Sequence, residues 1–181
     1  MRKITLVLGG VRSGKSSYAL SIAEANGDKV VYVVSATASD VEMDRRIEKH
    51  REERPAGWTV IEAGNDAAGA LRKADGKGSL IIIDCLTMLI GSCLGESVMA
   101  GETIDEHDEQ AAFRRAQDIV ESIIKITSPV IVVSNEVGSG VVPAYPTGRL
   151  FRDVVGWANK ELASQADEVV FMVAGLPMKV K

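Results

Sequence analysis

Five segments of this chain are near-continuous runs of apolar, β-branched residues: 4–8, 30–34, 80–83, 130–133 and 169–173. Runs of that length and type predict strands buried on both faces. Between them the apolar positions recur at helical spacing. Ala19, Ile22 and Ala23 share a face after the first run, and Phe113, Ala116, Ile119, Val120, Ile123 and Ile124 share one in 111–127. Further helices are expected at 40–53, capped by Asp40 and ended by Pro55, and at 66–74, closed by Gly76 and Gly78. A short apolar helix is expected at 86–94 and a longer one at 148–165. Residues 95–110 are acidic and polar without an apolar period, and read as a loop. Residues 177–180 suggest a short edge strand at the C-terminus. Alternating strands and helices define an α/β fold, a mostly parallel sheet with helices on both faces. Ligands on such sheets bind at the carboxyl ends of the strands.

The segment after the first strand changes this from a fold to a nucleotide site. Gly9-Gly10-Val11-Arg12-Ser13-Gly14-Lys15-Ser16 fits G-x-x-x-x-G-K-[ST] between a strand and a helix, the context the phosphate-binding loop requires. Glycines let the backbone wrap phosphate oxygens, and N–H groups at the helix start point at the anion. Lys15 is expected to neutralise the β- and γ-phosphates and the Ser16 hydroxyl to ligate Mg²⁺. The expected class is therefore a P-loop NTPase of RecA-like type. Asp84 ends an apolar strand, as the second metal-holding carboxylate of such proteins does.

Two other segments are less decided by their residues. Asn135-Glu136-Val137-Gly138-Ser139-Gly140 follows the strand at 130–134, so it belongs to the edge that carries Gly9 and Asp84. Glu136 is its candidate general base, and a plain βα turn fits as well. His50 shares a helix face with Met43 and Ile47 and is surrounded by arginines. Residues 42–54 hold five basic and five acidic side chains, so spacing alone favours a solvated, salt-bridged helix over a catalytic histidine.

Composition removes other classes. The chain has 181 residues, 46% of them hydrophobic, enough for one domain over 1–181 with a full core. A net charge of −4 and 4% aromatics argue against nucleic acid as a partner. No run reaches the length of a membrane span, Met1-Arg2-Lys3 leads straight into the first strand without a signal peptide, and Cys85 and Cys93 fit reduced thiols in a cytoplasm.

The order of motifs resembles one family. After the P-loop come Tyr32-Val33-Val34-Ser35-Ala36, then His50-Arg51-Glu52-Glu53-Arg54-Pro55, Trp58 and Glu62. Asp84-Cys85-Leu86-Thr87, Asn135 to Pro143, Gly148-Arg149, Phe151-Arg152-Asp153, Gly156 and Asn159 follow. Together these resemble the bifunctional adenosylcobinamide kinase / adenosylcobinamide-phosphate guanylyltransferases, from about residue 4 to the C-terminus. The resemblance implies phosphorylation of adenosylcobinamide by ATP or GTP. It further implies transfer of GMP from GTP to the adenosylcobinamide phosphate, through a covalent intermediate on His50. It implies Lys15 as a second catalytic residue. Gly9 to Ser16, Val34, Ser35, Ala36, Arg51, Glu52, Glu53, Arg54, Glu62 and Asp84 would contact the nucleotide, and Ser16 and Asp84 the Mg²⁺. It also implies a homo-oligomer, a trimer, for which the apolar stretch 86–94 could serve unless it is core. Two rival readings are a monofunctional P-loop small-molecule kinase and a non-catalytic GTP-binding module.

Overall fold

The computed structural model describes residues 3–25, 29–35, 55, 57–94 and 103–181. The helix expected at 40–53 lies outside them. The elements are β1 (Ile4–Gly9), α1 (Lys15–Glu24), β2 (Val30–Val34), β3 (Thr59–Glu62), α2 (Ala67–Ala74) and β4 (Leu80–Asp84). Next come α3 (Leu86–Gly91), a 3-10 turn (Ser92–Leu94), α4 (Glu106–Lys125) and β5 (Val130–Asn135). Last are α5 (Pro146–Gln165), β6 (Glu168–Val173) and β7 (Leu176–Lys179).

The strands form one sheet in the order β3-β2-β4-β5-β1-β6-β7, parallel except for β7. Each apolar run serves two cores because alternate side chains leave opposite faces. Ile81 and Ile83 join α2, α3, α4 and α5 in one core, while Leu80 and Ile82 join α1 and Trp58 in the other. Leu86, Leu89, Ile90 and Leu94 are all buried in the first core, so this stretch is core rather than a free oligomer surface.

Three boundaries differ from the sequence expectation, each for a local reason. The segment expected to be loop through residue 110 turns helical at Glu106, because Asp105 and Asp108 form a reciprocal capping box. Proline at the first turn starts α5 at Pro146 rather than 148. β3 was not expected at all: it is a four-residue edge strand, mostly exposed, whose apolar signal is too short to stand out. The expected C-terminal edge strand is present as β7, hydrogen-bonded antiparallel to β6. Ala174 and Gly175 join the two with φ of 49° and 85°, the positive values a two-residue hairpin of this hand needs. Among the described residues no helix is long and apolar enough to cross a membrane.

Asp75 closes α2 and ties it to the turn entering β5. Its carboxylate accepts the N–H groups of Thr127 (3.0 Å) and Ser128 (3.1 Å), and both hydroxyls. Partial burial raises its pKa, but those N–H groups and then the hydroxyls lower it more, and it stays below the ordinary carboxylate value. The linkage sign follows: the stabilisation is complete above the unfolded-state pKa and is lost as pH falls through the folded one. Asp75→Ala is expected to cost about 1 kcal/mol at pH 7 and to flatten the acid limb of stability, measured by urea unfolding at several pH values.

Candidate active site

The phosphate-binding loop leaves β1 at Gly9 and enters α1 at Lys15. A Cβ on Gly9 would lie 2.6 Å from the Met172 carbonyl oxygen of β6, so only glycine allows the loop to start against its neighbour strand. Gly14, with φ of 91°, is the N-cap of α1. No side chain caps that terminus and its first turn holds no acidic residue, which leaves its N–H groups to an anion. Val11 and Arg12 are exposed and Ser13 is buried. Gly175 N–H, at the hairpin tip, donates to the Ser13 carbonyl (3.0 Å) and braces the loop from outside.

Lys15 is only 7% exposed. Its ammonium donates to the Gly10 carbonyl at 2.6 Å, and Ser13 Oγ lies 3.5 Å away. The charge is folded into the loop where phosphate oxygens would sit. Burial pushes its pKa down, and the charge of Asp84 acts the other way. Burial first, and Asp84 second, push the Cys85 thiol up to about 11, so it is a protonated, apolar-like neighbour of the lysine.

Strand register brings the expected residues to one edge. Gly9 is level with Asn135 on β5 and Met172 on β6, and Val34 is level with Asp84 on one side and Glu62 on the other. β5 lies between β1 and β4, and Asp84 is level with Val133 and through it with Val7, so it stands two strands across from β1, about 10 Å at ordinary strand spacing, and two residues short of Gly9. Glu62 stands four strands away, about 19 Å. Ser16 is partly buried in the first turn of α1, and Ser35 follows directly after β2. Ala36, His50, Arg51, Glu52, Glu53 and Arg54 lie outside the described residues.

The structure also places groups to which the sequence reading gave no role. Tyr32 Oη donates to Asp84 Oδ2 at 2.6 Å. Thr87 Oγ1, in α3, accepts the Asn135 N–H (2.8 Å) and lies 3.2 Å from Ser134 Oγ, pinning that helix to the end of β5. The loop after β5 is joined to the P-loop by Glu136 N–H donating to the Gly9 carbonyl (3.0 Å). Arg152 and Asn159 of α5 donate to the carbonyls of Gly138 (2.7 Å) and Asn135 (3.0 Å) from behind. Glu136 Oε1 accepts Gly138 N–H (2.6 Å) and Ser139 N–H (3.1 Å), so this carboxylate shapes its own turn. Apart from the Glu136 turn, which is local and fits the plain βα turn, no local sequence signal announces these bonds, because each joins different elements of the fold.

This fold and this edge define a P-loop protein of RecA-like architecture. Two type III secretion ATPases share the fold. One, described as a prototypical ATPase of that system in pathogenic bacteria, superimposes with a TM-score of 0.60 at 16% identity over 98% of this chain. This chain spans 56% of that ATPase. EscN of enteropathogenic E. coli gives 0.58 at 16% identity, over 96% of this chain and 43% of EscN. Sequence comparison is more specific. Residues 5–180 match the family model for cobinamide kinase / cobinamide phosphate guanyltransferase. The chain is 38% identical over 176 residues to the bifunctional adenosylcobalamin biosynthesis protein CobP of Pseudomonas aeruginosa, covering 97% of this chain and 96% of CobP. It is 33% identical over 181 residues to CobU of Salmonella typhimurium, covering 97% and 98%. The chain belongs to the CobU/CobP family of bifunctional adenosylcobinamide kinase / adenosylcobinamide-phosphate guanylyltransferases. It is an enzyme of cobalamin biosynthesis with the paired kinase and guanylyltransferase activity typical of that family. Use of ATP or GTP, dependence on a divalent cation and cobinamide substrates are equally typical of it.

Proposed function

We propose that one edge of the sheet serves both reactions, with Gly9 to Ser16 holding the triphosphate and His50 carrying GMP between substrates. The observation that supports this reading is that Gly9, Asp84 and Glu62 are the last residues of β1, β4 and β3 at one edge of the parallel sheet, with the Lys15 ammonium buried in the loop that leaves Gly9. A nucleotide laid along that edge has its phosphates at the P-loop and its nucleoside toward Val34, Ser35, Ala36 and Glu62. Arg51 to Arg54 complete the nucleotide contacts in this reading.

In the kinase step the aminopropanol hydroxyl of adenosylcobinamide attacks the γ-phosphorus of ATP or GTP. The bond to the bridging oxygen breaks, the nucleoside diphosphate leaves and the hydroxyl proton is released. In the second reaction a His50 ring nitrogen attacks the α-phosphorus of GTP and pyrophosphate leaves. The phosphate of adenosylcobinamide phosphate then attacks the phosphoramidate, giving adenosylcobinamide-GDP and freeing His50. Covalent catalysis replaces one hard substitution by two easier ones. Lys15 and the N-terminus of α1 stabilise the negative charge that builds on the departing phosphates.

The donor set suits Mg²⁺, which prefers oxygen ligands. Asp84 commits Oδ2 to Tyr32 and keeps its other oxygen for a cation, and the Ser16 hydroxyl lies one residue beyond Lys15. Ser16 and Asp84 would hold the ion, which supplies charge neutralisation on the phosphates. The protein works as a homotrimer in the cytoplasm, and the chain is one domain in this reading. GTP labelled at the α-phosphate, incubated with the full chain and Mg²⁺, is expected to leave label on the denatured protein, stable to base and lost in acid. An unlabelled chain that still binds GTP would return the reading to a kinase alone, or to a binding module if adenosylcobinamide is not phosphorylated either.

A further inference from the structure

Tyr32 is the only aromatic residue in β2, a strand otherwise made of valine. It is 2% exposed, on the strand next to the β3 edge, on the face covered by α1. Trp58 stacks against it with ring centroids 6.2 Å apart and planes 28° from parallel. A phenol ring buried in this core against Trp58 cannot swing to a second position without opening the core. Its hydroxyl donates to Asp84 Oδ2 at 2.6 Å. That length is typical of an O–H group donating to an ionised carboxylate, which is stronger than a neutral hydrogen bond. β2 and β4 are neighbours and Val34 is level with Asp84, so Tyr32 reaches forward along its own strand to the strand end beside it.

Asp84 is a short side chain at a partly exposed strand end. Its carboxylate is free to rotate about the bond to the chain unless something holds it. Tyr32 is the hydroxyl that does so. It occupies one oxygen of a carboxylate that lies within electrostatic reach of Lys15 in the P-loop. We propose that Tyr32 is a positioning residue for Asp84, and that through this bond it sets the affinity of the nucleotide site for its divalent cation. The proposal rests on Asp84 being the metal-holding carboxylate. It does not depend on His50 or on the corrinoid. Tyr32 touches neither substrate nor metal in this scheme and acts only through Asp84.

The test measures metal binding rather than turnover. The full chain, loaded with the β,γ-imido analogue of GTP, is titrated with Mn²⁺ and the free ion is followed by electron paramagnetic resonance. Tyr32→Phe keeps the ring and its stacking on Trp58 and removes only the hydroxyl. It is expected to weaken Mn²⁺ binding by about tenfold, as loss of an outer hydrogen-bond partner of a ligand does. Binding of the analogue without metal should be unchanged. In an Asp84→Asn background the same substitution should add no further loss. Mn²⁺ affinity of Tyr32→Phe within about twofold of wild type would overturn the proposal, as would an equal loss in both backgrounds.

Should Tyr32→Phe not fold, a second measurement decides. The chain has three tyrosines, so Tyr18→Phe and Tyr145→Phe leave Tyr32 alone. With its hydroxyl-bearing ring carbon isotopically labelled, the nuclear magnetic resonance of that carbon is expected to move when Mg²⁺ joins the bound analogue. It should not move with the analogue alone. A signal indifferent to Mg²⁺ means that Tyr32 is structural. Label transfer from GTP to the wild-type chain, run beside these titrations, separates failure of this proposal from failure of the guanylyl-transfer reading.

Discussion

His50→Ala is expected to abolish GMP transfer, lowering kcat for the guanylyltransferase reaction by at least about 10⁴-fold, while adenosylcobinamide is still phosphorylated at a rate within a few-fold of wild type. The two reactions part here because they attack different phosphorus atoms. The α-phosphorus needs a protein nucleophile in this scheme, and the γ-phosphorus is attacked by the substrate's own hydroxyl. Removing imidazole leaves Gly9 to Ser16 and Asp84 in place, so the phosphate cradle of the kinase step is intact. The measurement is a pair of assays on one preparation, one following adenosylcobinamide phosphate and one following adenosylcobinamide-GDP supplied with the phosphate as substrate. The α-phosphate label should vanish from the mutant chain. A mutant that keeps the label would place the nucleophile elsewhere. A folded mutant that loses both reactions would make His50 a group that holds the nucleotide.

Lys15→Met should reduce kcat/KM of both reactions together, by at least about 10³-fold. Both steps expel a phosphate group whose growing charge this ammonium faces, so no assay condition should separate them. Stability is expected to behave differently. Lys15 is nearly buried, its charge is disfavoured by that burial, and its partners are a carbonyl and a hydroxyl rather than a bonded carboxylate. Methionine fills similar space without a charge to desolvate. Replacing a buried ionic group by an apolar one of like volume is often neutral or stabilising, so urea unfolding is expected to change by no more than about 1 kcal/mol. A loss of activity matched by a large loss of stability would mean that the lysine chiefly holds the loop together.

Much of the site was legible because its signals are local. The P-loop carries its own strand, turn and helix, and Asp84 is marked by the four apolar residues before it. Every strand but β3 was visible for the same reason, as were α2 and the core helices. What was missed has a common cause. β3 is short and exposed, and it exists because β2 offers it a parallel edge. The start of α4 rests on two aspartates that satisfy each other's backbone N–H groups, a pattern without hydrophobic period. Glu136 fits a general base or a plain βα turn equally well in the sequence, and the structure gives its Oε1 to the turn it sits in.

The division between sequence and structure follows from the range of the interactions. Backbone conformation and the burial of a periodic face depend on residues within a turn or a strand of one another. The chain by itself therefore determined the class of fold, the phosphate loop, the acid at the end of β4 and the family. Which strands are neighbours depends on how all the apolar faces close together. Only the tertiary structure could decide that β5 separates β1 from β4, or that Gly9, Asp84 and Glu62 share an edge. The bond from Tyr32 to Asp84 belongs to the same class. It links residues 52 positions apart, and it forms because two strands distant in sequence lie side by side in the sheet.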